Sequence, residues 1–129
     1  SNNPVTPPQY ISDKAAVQNS LITGGSHVEG EVDYSILFSN VTVEEGAQIK
    51  YSIVMPGAKI EKGAKVQYAM IAENAVVKSG AVVGEDPREC ADLGEWGVAV
   101  VGPSLTVGEN ATVKAKTMVV ENVEGGAQV

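Results

Sequence analysis

Few residues of this chain have the chemistry of a catalytic group. His27 is the only histidine and Cys90 the only cysteine. One histidine cannot build a three-histidine zinc site. One cysteine can form neither an internal disulfide nor a cysteine cage for a metal. His27 could act as a lone general base. No long arm that would cover a second substrate lies near it, so a solvated or hydrogen-bonded ring is the plainer reading. Cys90 stands among Asp86, Glu89 and Asp92, whose charge opposes an anionic sulfur nucleophile. Neither a P-loop nor a GxGxxG segment is present, so no phosphate cradle is recognisable. The remaining candidates are cations. Lys114, Lys116 and Arg88, the only arginine, are the candidate contacts for a phosphate-bearing anion. No catalytic residue, cofactor-binding residue or metal ligand is expected on this chain.

Composition narrows the partners. The chain has 129 residues and a formal net charge of −7. That length fits one domain, and that charge argues against nucleic acid, which needs clustered lysine and arginine. No apolar run approaches the ~18 residues of a membrane span. No signal peptide is visible, and a cytoplasmic protein is expected. Asn40-Val41-Thr42 and Asn110-Ala111-Thr112 fit the glycosylation sequon. Both asparagines are read instead as corner residues.

The elements that would position any site are written by a repeat. Shifted by 17, the sequence falls on itself. Val43 recurs as Ile60 and Val77, Leu37 as Val54 and Ile71, and Gly46-Ala47 as Gly63-Ala64 and Gly80-Ala81. Within a unit the aliphatics step by six, five and six: Val43, Ile49, Val54, Ile60. Each hexapeptide is then a short strand and a corner, and three faces close one coil. The expected fold is all-β, a single-stranded parallel β-helix of hexapeptide repeats with about five coils. An irregularity is expected near Gly24-Gly25, because Val17 to Val32 is 15 and not 17. The expected organisation is a tag remnant and extended lead-in over 1–8, coils over 9–83, a loop insertion over 84–97, and a final coil with tail over 98–129.

Two features depart from the bare repeat. Tyr34, Tyr51 and Tyr68 recur at the 17-residue shift, two residues after an inward position. They should form an outward strip, beside Ile36, Ile53 and Met70. Such a strip either docks another domain or stacks on itself to steady the coils. The insertion carries Trp96, the only tryptophan. Long loops inside regular solenoids are uncommon. Trp96 is grouped with the tyrosines as a candidate domain interface; alternatively Trp96 and Leu93 simply cover the prism. Inter-coil ion pairs are expected between Lys62 and Glu45 and between Glu61 and Lys78.

Several ordered segments carry a resemblance. They include Pro8-Gln9-Tyr10-Ile11, Val17-Gln18-Asn19-Ser20-Leu21-Ile22 and Val28-Glu29-Gly30-Glu31-Val32. Further along come Ser52-Ile53-Val54-Met55-Pro56-Gly57-Ala58-Lys59-Ile60 and Gly97-Val98-Ala99-Val100-Val101-Gly102. Together they resemble the C-terminal domain of bacterial glucose-1-phosphate adenylyltransferase (ADP-glucose pyrophosphorylase), catalytic-type subunit. The resemblance implies left-handed winding and an N-terminal nucleotidyltransferase domain as partner. It implies a homo- or hetero-tetramer in which this domain serves regulation and assembly. The whole enzyme would join ATP and glucose 1-phosphate to give ADP-glucose and pyrophosphate, with Mg2+, in glycogen biosynthesis. The catalytic domain is absent from this chain, which alone should be inactive. The family's effector-binding arginines fall here on Glu73, Pro103 and Val107, which puts sugar-bisphosphate activation in doubt. The alternatives are a hexapeptide-repeat acyltransferase and the β-helix of another sugar-phosphate nucleotidyltransferase.

Overall fold

The computed structural model describes residues 8–129, so all but Pro8 of the expected lead-in lies outside the described residues. Eighteen strands of two or three residues form three six-stranded parallel sheets, each taking every third strand. Sheet A runs β1 (Tyr10–Ile11), β4 (His27–Val28), β7 (Thr42–Val43), β10 (Lys59–Ile60), β13 (Val76–Val77), β16 (Thr106–Val107). Sheet B stacks β2 (Ala16–Gln18), β5 (Glu31–Asp33), β8 (Gln48–Lys50), β11 (Lys65–Gln67), β14 (Val82–Val83), β17 (Thr112–Val113). Sheet C stacks β3 (Leu21–Ile22), β6 (Ile36–Leu37), β9 (Ile53–Val54), β12 (Ala69–Ile71), β15 (Ala99–Val101), β18 (Met118–Val119). This is a parallel β-helix of hexapeptide repeats, consistent with left-handed winding. No helix among the described residues is long and apolar enough to cross a membrane.

The inward columns are those the repeat marks. Leu37, Ile49, Val54, Ile60, Val66, Ile71, Val77 and Val83 are all fully buried. Ala47, Ala58, Ala64, Ala75 and Ala81 fill the corners, also fully buried. One coil cannot bury its own aliphatics; stacked at ~4.8 Å, each shields its neighbours. Each buried valine or isoleucine contributes about 1.5–3 kcal/mol relative to exposure. The asparagine corners are left-handed, with φ of 60° at Asn40 and 59° at Asn110. At Gly57 the carboxamide of Asn74, one coil on, folds over the backbone; a Cβ there would lie 2.1 Å from its Oδ1.

Two expectations need correction. There are six coils, not about five. Residues 98–129 supply more than a final coil: β15 closes the fifth, β16–β18 make the sixth, and the bridges Val107–Val123 and Thr112–Gln128 begin another. The irregularity lies at Glu29-Gly30, not at Gly24-Gly25. Ile22 to Val28 keeps the six-residue step, while Val28 to Val32 is shortened to four. The corner so tightened sits directly on the next coil. A Cβ on Gly30 would lie 2.5 Å from the Ala47 carbonyl oxygen and 2.9 Å from that of Glu44. Both obstacles are backbone and cannot swing away. Gly30→Ala should therefore cost about 3 kcal/mol, the upper end for overpacking. Gly94→Ala, on an exposed part of the loop, should stay within about 0.5 kcal/mol. Urea denaturation of both variants checks the contrast.

Candidate functional site

The corner between sheets B and C uses the five-residue step, and its tip must turn left-handed. Asn19, Tyr34, Tyr51 and Tyr68 occupy it, with φ of 50°, 47°, 49° and 47°. Asparagine tolerates this conformation; for other L-residues it costs about 1–2 kcal/mol each. The tyrosines stack face to face, with centroids 5.0 Å apart from Tyr34 to Tyr51 and 4.7 Å from Tyr51 to Tyr68. An aromatic pair contributes about 0.5–1.5 kcal/mol. Two such pairs only partly offset three strained corners, yet Tyr34 and Tyr51 stay 53% and 45% exposed. Local stability is a poor reason for these rings.

Directly after Asn19, Tyr34 and Tyr51 comes a serine, a column the sequence reading missed. Ser20, Ser35 and Ser52 donate to the carbonyls of Gln18, Asp33 and Lys50 in their own coils. Each hydroxyl also accepts the N–H of the next coil, from Ser35, Ser52 and Ala69 in turn, at 3.0–3.2 Å. The recurring Tyr-Ser pair was the available signal. The ladder ends at Ala69, which lacks a hydroxyl, one coil before the insertion.

The outward row of sheet C is apolar on every coil. Leu21, Ile36, Ile53, Met70, Val100 and Met118 lie in register. The equivalent row of sheet A mixes Tyr10, His27, Thr42 and Lys59; that of sheet B includes Glu31, Gln48 and Lys65. Leu21 and Met118 are 66% and 68% exposed, and Phe38 and Val120 extend the patch. At one end Ala72, Val100, Pro103, Leu105 and Met118 line a mostly apolar hollow of about 460 Å³.

The insertion, between β14 and β15, makes two 3-10 turns, Pro87–Glu89 and Leu93–Glu95. Trp96 meets Tyr68 edge-on at 5.7 Å and donates its Nε1–H to the Glu85 carbonyl. It extends the tyrosine stack by a fourth ring. Leu93 is 66% exposed and covers little. Arg88 grips Asp86, its Nε and Nη2 donating at 2.7–3.2 Å. These bonds hold the Asp86 carboxyl below its usual range, with Lys65 adding to the effect. Burial pushes the Tyr68 phenol up, and Asp86 and Tyr51 push it further.

The candidate cations do not share one hollow. Arg88 borders a hollow of about 180 Å³ whose other walls include Lys50, Lys65, Tyr51, Tyr68 and Gln67. Lys114 and Lys116 do not line it; Lys116 sits at a left-handed corner with φ of 69°, its N–H bonded to the Gly97 carbonyl. His27 stacks on Tyr10 at 4.6 Å, and its Nε2 lies 2.9 Å from Glu29 Oε1. Cys90 points its thiol at the Asp92 carbonyl. Lys62 and Lys78 make no ion pair among the described residues. Glu44 and Glu61 instead accept the backbone N–H groups of Lys62 and Ser79 on the next coil, because corner donors need acceptors.

A family model described as GlmU-like, C-terminal hexapeptide, matches residues 7–101. The chain belongs to this family. This GlmU-like hexapeptide domain is similar to proteins of two kinds. Glucose-1-phosphate adenylyltransferases of Bacillus anthracis and Bacillus cereus strain Q1 are each 55% identical over 49 residues, covering 38% of this chain and 13% of theirs. The match spans only a small part of those relatives' length. A mutant perosamine N-acetyltransferase of Caulobacter crescentus, solved with CoA and GDP-perosamine, has the same fold. Its TM-score is 0.61 at 17% identity, over 95% of this chain and 53% of that one.

The Asp86–Arg88 pair gives this hexapeptide domain a readable acid response. A lowered carboxyl pKa means that the pair's contribution is complete above the ordinary value of 3.8 and is lost as pH falls below it. Trp96 fluorescence should change over that acid range. Asp86→Asn should remove the change; an unaltered titration would contradict this loop arrangement.

Proposed function

We propose that this chain is the C-terminal regulatory and assembly domain of a glucose-1-phosphate adenylyltransferase, which forms ADP-glucose and pyrophosphate from ATP and glucose 1-phosphate in glycogen biosynthesis. The observation that carries the reading is the outward apolar row of sheet C, bordered by strained, exposed tyrosines. A scaffold standing alone gains nothing from such a face, whereas a face packed on a nucleotidyltransferase domain does. The 55% identity to the Bacillus adenylyltransferases over 49 residues supports the same assignment. Under it, sheet C and the Tyr34–Tyr51–Tyr68–Trp96 stack cover the N-terminal domain, and the assembled enzyme is a cytoplasmic tetramer.

The chemistry then belongs to the other domain. Among the described residues no group of three or more His, Cys, Asp or Glu could hold a metal ion. The Mg2+ of the whole enzyme would be held by that other domain. His27, tied to Glu29 and Tyr10 on sheet A, is assigned no role as a base. An acetyltransferase reading has the likeness to the Caulobacter enzyme behind it, and that likeness supports the fold alone.

The 129-residue chain should form no ADP-glucose from ATP and glucose 1-phosphate, while the same chain joined to its nucleotidyltransferase domain should. Acetyl transfer from acetyl-CoA by the chain alone would overturn the assignment. Met70→Glu tests the face directly. It should destabilise the joined protein by about 1–3 kcal/mol in thermal melts. In the isolated chain, where Met70 is 38% exposed, the change should stay within about 0.5 kcal/mol.

A further inference from the structure

We propose that the open end of the tyrosine stack, above Tyr34, seats an arginine side chain from the domain that covers sheet C. That partner is the nucleotidyltransferase domain proposed above, on whose docking the assignment rests. Tyr51 lies between Tyr34 and Tyr68, and Trp96 closes the stack beyond Tyr68. On the other side of Tyr34, the same corner of the first coil carries Asn19, which has no ring. One rung of the ladder, ~4.8 Å high, is therefore open. Tyr34, beside it, is the most exposed of the three tyrosines. Asn19, Leu21, Tyr34 and Ile36 border an open hollow of about 640 Å³ at this end of the stack.

The groups around the open rung are electron-rich. The Asp33 side chain leans toward the first coil, where its Oδ1 accepts from Asn19 Nδ2 at 3.4 Å. That contact brings the carboxylate toward the height of the rung. Asp33 Oδ2 and Asn19 Oδ1 accept no hydrogen bond among the described residues, and no cation there lies within 4.0 Å of Asp33. Lys50, the register neighbour of Asp33 on the third coil, stays outside that distance. A tyrosine face carries negative potential, so ring, carboxylate and carboxamide oxygen together call for a cation. An ammonium would answer them as a point charge and could not lie flat on the ring. A guanidinium stacks on the face and turns its N–H edge to the carboxylate. A neutral aromatic ring would stack too, but it would shut both oxygens away from water without a donor. A second copy of the chain is a poor source, because Arg88, its only arginine, is bound to Asp86 in the insertion. With the rung filled, the strained corner at Tyr34, φ 47°, has a purpose that the stack alone does not give it.

The test follows the 19F resonances of 3-fluorotyrosine in the 129-residue chain, with Tyr34→Phe assigning the Tyr34 signal. The probes are N-acetylarginine amide and N-acetyllysine amide, at constant ionic strength. The arginine probe should move the Tyr34 signal along a saturating curve and leave Tyr10, which already stacks on His27, in place. The lysine probe should act several-fold more weakly. Asp33→Asn should weaken the arginine response by about threefold or more and keep the parent melting curve. A Tyr34 signal that responds equally to both probes, or that ignores loss of the Asp33 charge, overturns the site. In the chain joined to its nucleotidyltransferase domain the response should fall by about tenfold or more, because an arginine of that domain already fills the rung. An undiminished response there overturns the occupant. Methionine oxidation in the same sample then separates the two claims. If Met70 is protected while the rung stays open, sheet C docks and only the arginine is excluded. If Met70 is unprotected as well, the docked face is excluded with it.

Discussion

Register is the constraint on which everything else depends. A coil of this prism has too little interior to stand alone, so every aliphatic must lie over its counterpart one coil away. Hydrogen bonding between coils enforces the same alignment, because each N–H within a strand must meet a carbonyl of the neighbouring coil. A residue's place in the turn thus fixes its side of the prism for the whole length of the chain. That is how one column of tyrosines becomes a stack, one column of serines a hydrogen-bond ladder, and one row of sheet C a continuous apolar face.

The constraint also explains where variation is permitted. Inward positions accept only aliphatic or small side chains, so they say scaffold and nothing more. Corners are freer. The tightened corner at Gly30 removes two residues without breaking register, because glycine lets the backbone rest on the coil below. The insertion enters at another corner, after Gly84, and returns at Ala99 in register with Ala69. Between those points it adds a tryptophan to the aromatic stack and an arginine to the lysines of sheet B.

Much of this was legible in the sequence, for a physical reason: the repeat is the fold. The inward columns, the outward tyrosines and the limits of the loop all follow from a shift of 17. The readings that failed needed something beyond the shift. Six coils were mistaken for about five because one is two residues short and the loop splits another between Val83 and Ala99. The place of the short corner was misjudged because adjacent glycines at 24 and 25 look more like a break than a single glycine at 30. Lys50 and Lys65 were not connected with Arg88, since no periodicity tells how a non-repeating loop folds back. The serine ladder was visible as spacing but not as bonding, because hydroxyl direction depends on the left-handed corner before it.

Under the proposed function, the apolar row of sheet C is a covered face in the working protein. The chain's three methionines report on it: Met70 and Met118 lie in that row, and Met55 directly follows β9. The most direct measurement is the rate of methionine oxidation, residue by residue, in the isolated chain and in the chain joined to its nucleotidyltransferase domain. Met70 and Met118 should oxidise readily in the isolated chain and several-fold more slowly in the joined protein. Equal rates in both would contradict it.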